Sequence, residues 1–223
     1  LTLALAALSF FGAATAANNT KKAAPKDTLV FTTIVSAPVT SIKNQNNSGT
    51  CWAYSSLAFL ESEALKKNPS LKPADVDLCE SFVVAKTYND RADRAVRTHG
   101  DVSFSQGGSF YDVIYCMDRY GLVPEGTMPY PKTLYGDSLF NFKHFFPGLE
   151  AFVGSVAKGD HKTINPIWKK TVAQMVDGYF GEAPKTFKVK GKEYTPHTYV
   201  KDYLRLDPND YVSARAFLQA FRH

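Results

Sequence analysis

Apolar positions recur at a helical period from residue 51, where Ala53, Leu57, Leu60 and Ala64 fall on one face of a run that opens at Cys51. A second helix is predicted from Glu80 to Val96, and a third over 109–120 with its stop at Gly121. Asn165-Pro166 has the form of an N-cap and first helical residue for a helix reaching Phe180, ended by Gly181. Thr195-Pro196 repeats that start signal and puts His197 in a first turn. Phe187-Lys188-Val189-Lys190 ahead of Gly191-Lys192-Glu193-Tyr194 reads as a hairpin. Short extended runs are expected near Leu29-Val30-Phe31 and Ile34-Val35, while 131–165, rich in Phe, Gly and Lys, reads as irregular. At 44% hydrophobic and 13% aromatic residues, the chain can bury a real core.

The turn before the first helix carries the chemistry. Residues 45–52 run Gln45-Asn46-Asn47-Ser48-Gly49-Thr50-Cys51-Trp52 and place a thiol at a helix mouth. The positive end of the helix dipole favours thiolate over thiol there. Gln45 can fold back and offer its side-chain N–H beside the backbone N–H of Cys51, and two converging donors make an oxyanion hole. That pattern reads as the nucleophile end of a cysteine peptidase. The alternative is a buried cysteine opening an ordinary helix, since free Cys is among the most buried residue types.

Gly49-Thr50-Cys51-Trp52 resembles the signature around the catalytic Cys of the papain superfamily, with Thr in a place that is usually Ser or Ala. The block at 97–130 is similar to the bleomycin hydrolase and aminopeptidase C branch. It includes Gln106-Gly107-Gly108, Gly121-Leu122-Val123-Pro124 and Met128-Pro129-Tyr130, and Leu78-Cys79-Glu80 stands where the branch usually has Leu-Ser-Glu. The likeness continues through Trp168-Lys169-Lys170, Tyr179-Phe180-Gly181-Glu182 and Asp207-Pro208-Asn209-Asp210, so it spans about residues 29 to 213. It implies an α+β, papain-like cysteine peptidase fold: mainly the helical lobe carrying the nucleophile helix, a family-type insertion after about residue 130, and a β-rich lobe largely absent. It also implies roles. Cys51 attacks the scissile carbonyl, Gln45 helps hold the oxyanion, Trp52 packs behind the nucleophile, and Gly107 and Gly108 border the substrate backbone. Taken alone, Gly107-Gly108 reads equally as a turn before the third helix.

The resemblance puts the catalytic His and Asn in sequence beyond this stretch. Of His99, His144, His161, His197 and His223, bare spacing from Cys51 favours His197, and Asn209 follows it. The first-turn position argues against His197, because the dipole disfavours imidazolium there. These 223 residues alone are therefore expected to be nearly inactive on peptides. A catalytically silent binding or assembly module is one rival reading, and a thiol acyl-transferase with the same nucleophile geometry is another. The resemblance further implies a peptide substrate, a homo-hexameric cage and no cofactor.

Residues 1–13 form an apolar run and Ala14-Thr15-Ala16 a small-residue cleavage site, so 1–16 reads as a signal peptide and the protein as exported. The run is too short for a membrane span. A polar linker follows at about 17–28, then the peptidase-like part over 29–213 and a divergent tail at 214–223. A net charge of +5 and a pI near 9.0 are mild, and no Lys/Arg block interleaves with aromatics to suggest nucleic acid. Cys51, Cys79 and Cys116 offer no Cys-x-x-Cys pair for zinc. Cys79 and Cys116 could pair as a disulfide, or remain inert buried thiols. A helical lobe of this kind is also expected to leave apolar surface exposed.

Overall fold

The computed structural model describes residues 31–130, 139–159 and 162–211. The predicted signal segment, the polar linker at 17–28, Leu29 and Val30 of the first expected extended run, and the divergent tail lie outside them. The chain divides into two units, Leu1–Ser36 and Ala37–His223. In the described part of the first, residues 31–36, there is no strand, so the extended run expected at Ile34-Val35 is not realised as one. An apolar run becomes a strand only with a neighbour to share its ladder, and β-propensity alone does not supply one.

The second unit is mainly helical. Its elements are α1 (Cys51–Lys67), α2 (Glu80–Arg97), α3 (Phe110–Tyr120), α4 (Phe145–Lys158), α5 (Ile167–Phe180), the strands β1 (Phe187–Val189) and β2 (Lys192–Tyr194), and α6 (Pro196–Thr198), which runs on as a π-helical turn over Tyr199–Leu204. Ala53, Leu57, Leu60 and Ala64 of α1 are all fully buried, as their period requires. The centre is α2, against which α1, α3, α4 and α5 all pack. It is buried round most of its circumference, with Phe82, Val83, Tyr88, Ala92 and Val96 in the core. Among the described residues no helix is long and apolar enough to cross a membrane.

The helix α4 corrects the expectation of an irregular 131–165. Pro147, Gly148 and Gly154 mask its period, yet Phe146, Leu149, Val153 and Ala157 line one buried face. Pro147 is tolerated because it sits in the first turn, where backbone N–H groups have no helical partner. The predicted helix stop at Gly121 is observed, with φ at 79°. At the hairpin, Lys190 and Gly191 both take positive φ, the turn whose twist suits a two-residue connection. Phe187 and Tyr194 face each other across it and press on Tyr199.

Aromatic rings join α4 and α5 to the segment that reaches the candidate site. Phe145 stacks on Tyr179 with centroids 4.0 Å apart, and Tyr130 lies 4.4 Å from Tyr179. The Tyr179 hydroxyl donates to the Asn141 carbonyl at 2.6 Å, and the Asn141 N–H donates to the Tyr130 hydroxyl at 2.8 Å. The Tyr130 proton is then left for Tyr179, 2.5 Å away, so the three groups form one directed chain. It fixes the backbone at residues 140–142.

Exposed apolar side chains occur beside α1, as anticipated. Val39 and Ile42 lead towards it and Phe59 lies on it.

Candidate active site

The turn at 44–50 is satisfied largely from within. Asn46 takes a left-handed conformation, φ 47°, with its N–H on Asn44 Oδ1 at 2.8 Å. Ser48 Oγ donates to the Gln45 carbonyl at 2.8 Å, which makes Thr50 Oγ1, 2.6 Å away, the donor to Ser48. Gln45 does fold back: its Nε2 donates to the Ser48 carbonyl at 2.8 Å. An amide nitrogen has two protons, so this bond uses one and leaves the other.

Two distant segments hold the turn from outside. The Asn46 side chain donates to the Phe140 carbonyl at 2.9 Å, and Phe142 N–H donates to the Asn47 carbonyl at 2.9 Å. On the other side Gly49 N–H donates to Gln106 Oε1 at 2.7 Å, and the Trp52 indole N–H donates to the Gln106 carbonyl at 2.9 Å. Sequence reasoning passed over Gln106, Asn46 and Asn47, because their partners lie far along the chain.

Cys51 is the first residue of α1 and is exposed; its backbone N–H belongs to the set that a helix leaves without an internal partner. The reading of Cys51 as a buried helix opener is therefore wrong. Trp52 is buried beside it. The two glycines behave differently. A Cβ on Gly108 would lie 2.5 and 2.6 Å from Trp52 ring carbons, while one on Gly107 would meet nothing within 4 Å. Gly108 is thus required by the packing of Trp52, and Gly107 faces open space. His197 is elsewhere: its ring bonds the Asp118 carbonyl at 3.2 Å, in the last turn of α3. Residue 118 lies eight positions beyond the start of α3, about 12 Å along the axis from the end that follows Gly108.

Cys79 and Cys116 are free thiols, both buried, and burial pushes both well above the ordinary thiol range. The inert reading is the one realised, and no disulfide joins them. Iodoacetamide should accordingly modify Cys51 alone in the folded protein and all three cysteines in urea. Peptide mapping by mass spectrometry reads this directly, and native-state labelling of Cys79 or Cys116 would contradict it.

A partly buried ionic cluster anchors the approach to the turn, two residues before Gln45. Lys43 Nζ donates to Glu80 Oε1 at 2.9 Å, to Oε2 at 3.1 Å and to the Leu78 carbonyl at 2.6 Å, and Asp77 Oδ1 lies 2.6 Å away. Glu61 of α1 accepts from Leu78 N–H at 2.7 Å and from the Thr40 hydroxyl. Burial works against the Lys43 ammonium, but Glu80 and Asp77 outweigh it and hold its pKa above the ordinary lysine value. Burial lifts the Glu80 carboxyl from 4.5 to about 7 against the pull of Lys43, and burial raises Glu61 as well. Between those two pH values the unfolded chain gives up the Glu80 proton first, so this group's contribution to stability falls as pH rises. Lys43, raised, loses its contribution only above its ordinary pKa. Urea midpoints of the wild type should therefore decline, relative to Glu80→Gln, from about pH 4.5 to 7. Parallel pH profiles of the two proteins would refute this.

The mainly helical fold is that of a papain-like lobe, with a thiol exposed at the mouth of α1. The chain matches the Peptidase C1-like family over residues 2–139 and belongs to that family. It is similar to Aminopeptidase G of Lactobacillus delbrueckii subsp. lactis, at 24% identity over 88% of this chain and 51% of that one. It is also similar to Aminopeptidase E of Lactobacillus helveticus, at 25% identity over 77% of this chain and 46% of that one. A solved structure of PepW from Lactobacillus rhamnosis superposes with a TM-score of 0.52 at 17% identity, over 82% of this chain and 47% of its own. The chain thus spans about half the length of the curated relatives it matches.

Proposed function

We propose that Cys51 is the nucleophile of an aminopeptidase-type cysteine peptidase. Its thiolate adds to a peptide carbonyl, and the oxyanion is held by the second Gln45 side-chain proton and the Cys51 backbone N–H. Collapse expels the amine, which takes a proton from a general acid, and leaves a thioester that water then hydrolyses. Gly107 and Gly108 run along the substrate backbone, with Trp52 packed behind the thiol. The observation that supports this best is the contrast among the three thiols: the one at a helix mouth, in a turn closed by Gln45, is exposed, and the other two are buried.

The general acid and base, with its orienting Asn, is assigned to sequence outside these 223 residues, in keeping with relatives twice as long. The isolated chain should then form a covalent adduct with a peptidyl acyloxymethyl ketone at Cys51, yet turn over aminoacyl substrates feebly, since triad members act as a unit. Intact-mass analysis of wild type and Cys51→Ser checks the first part, and a fluorogenic substrate assay the second. Labelling that survives Cys51→Ser would remove Cys51 from the role. Robust Cys51-dependent turnover would place the base within the chain. Absence of labelling would favour a silent binding module.

A further inference from the structure

We propose that Gln106 is a positioning residue that sets the orientation of Gln45, and so aims the oxyanion site at Cys51. The inference rests on the reading of Cys51 as a peptide-attacking thiol. The central element is one peptide plane, that between Ser48 and Gly49. Its N–H donates to Gln106 Oε1 at 2.7 Å, and its carbonyl accepts from Gln45 Nε2 at 2.8 Å. A peptide group is planar and rigid, so fixing its N–H fixes its carbonyl. Gln106 therefore determines where the Gln45 amide can sit without touching it. The chain from Gln45 through the peptide to Gln106 also aligns its dipoles head to tail, which strengthens each bond.

The same residue grips the other side of the nucleophile. The Gln106 carbonyl accepts from the Trp52 indole at 2.9 Å and from the Tyr88 hydroxyl at 3.3 Å. Cys51 is thus bracketed by Gly49 and Trp52, both tied to one residue. Gln106 immediately precedes Gly107 and Gly108, so movement of the substrate strip is transmitted to the Ser48–Gly49 plane. The approach is close: a Cβ on Gly49 would fall 2.9 Å from Gln106 Cβ. This arrangement couples occupation of the strip to alignment of the oxyanion donors.

The test compares two reagents at Cys51 on the full 223-residue chain. A peptidyl acyloxymethyl ketone needs the strip and the oxyanion site, whereas iodoacetamide needs neither. Gln106→Leu keeps the volume and removes the acceptor, and Gln106→Glu keeps the acceptor. Gln106→Asn shortens the arm out of reach while remaining polar, and decides the matter if the leucine variant does not fold. The ratio of the two labelling rates should fall on the order of tenfold or more in the Leu and Asn variants, and stay within about threefold of wild type in Glu. A wild-type ratio in Leu and Asn would overturn the role of Gln106 and leave the Cys51 reading standing. An equal loss with both reagents, alongside a lowered Tm, would reduce Gln106 to a structural residue and overturn the proposal. A wild-type protein with no preference for the peptidyl reagent would overturn the Cys51 reading itself.

Discussion

Replacing Lys43 with methionine should lower the unfolding free energy at pH 8 by about 3–5 kcal/mol, the cost of leaving a buried charge without its partner. Methionine fits the volume but leaves Glu80 facing Glu61 and Asp77 with no cation between them. Glu80 and Glu61 side chains are only 6% and 2% exposed, so water cannot substitute for the ammonium. The loss should shrink at pH 5, where Glu80, with its pKa lifted to about 7, already carries a proton in the folded protein. A Lys43→Met/Glu80→Gln double variant should recover part of the loss, because a pair removed together costs less than one partner orphaned. Urea unfolding at the two pH values measures all three quantities. Equal losses at pH 5 and pH 8 would mean that Glu80 is not what Lys43 neutralises.

Gly108→Ala should destabilise the protein by about 1–3 kcal/mol through overpacking, and should also slow labelling of Cys51 by the peptidyl ketone. The new methyl would sit 2.5 Å from a carbon of the Trp52 ring, closer than any real contact. The ring cannot simply yield, since it is buried and its N–H is tied to the Gln106 carbonyl. Any shift of Trp52 is passed to its neighbour Cys51 through one peptide bond. Gly107→Ala makes the natural control: with nothing within 4 Å, its stability should stay within about 0.5 kcal/mol of wild type. If the strip aligns peptide, the Gly107 variant should still lose labelling by the peptidyl ketone. Thermal melts and labelling rates on both variants separate the two effects, and a fully stable Gly108→Ala would contradict the packing argument.

The elements that a single period or cap could announce were legible in the sequence. The buried face of α1, the Ser109 to Gly121 span of α3, the start of α5 near Asn165-Pro166, and the Lys190-Gly191 turn all follow from local rules. Helix α4 was hidden by Pro147 and two glycines, although its buried positions do recur at a helical spacing. The signal for the ionic cluster was also present. Glu61 falls among Leu57, Leu60 and Ala64 on an apolar face, and a carboxylate there requires a buried partner. What could not be read was the set of bonds from Gln106 and from Phe140 to Phe142 onto the turn before Cys51. Those bonds join residues 57 and 94 positions apart, and no local pattern encodes such distances.

That last separation carries a consequence for the birth of the protein. Helix α1 and its thiol leave the ribosome well before the residues that brace the turn ahead of them. At about 5–20 residues per second, the 94 positions between Asn46 and Phe140 take on the order of 5–20 s to synthesise. During that interval the Asn46 side chain and the Asn47 carbonyl lack the partners that Phe140 and Phe142 will supply, and the loop that will fix them is not closed. Completion of the turn before Cys51 is thus timed by translation: the cysteine is made early, and the geometry proposed to aim it is completed only once Phe142 has been added and docked.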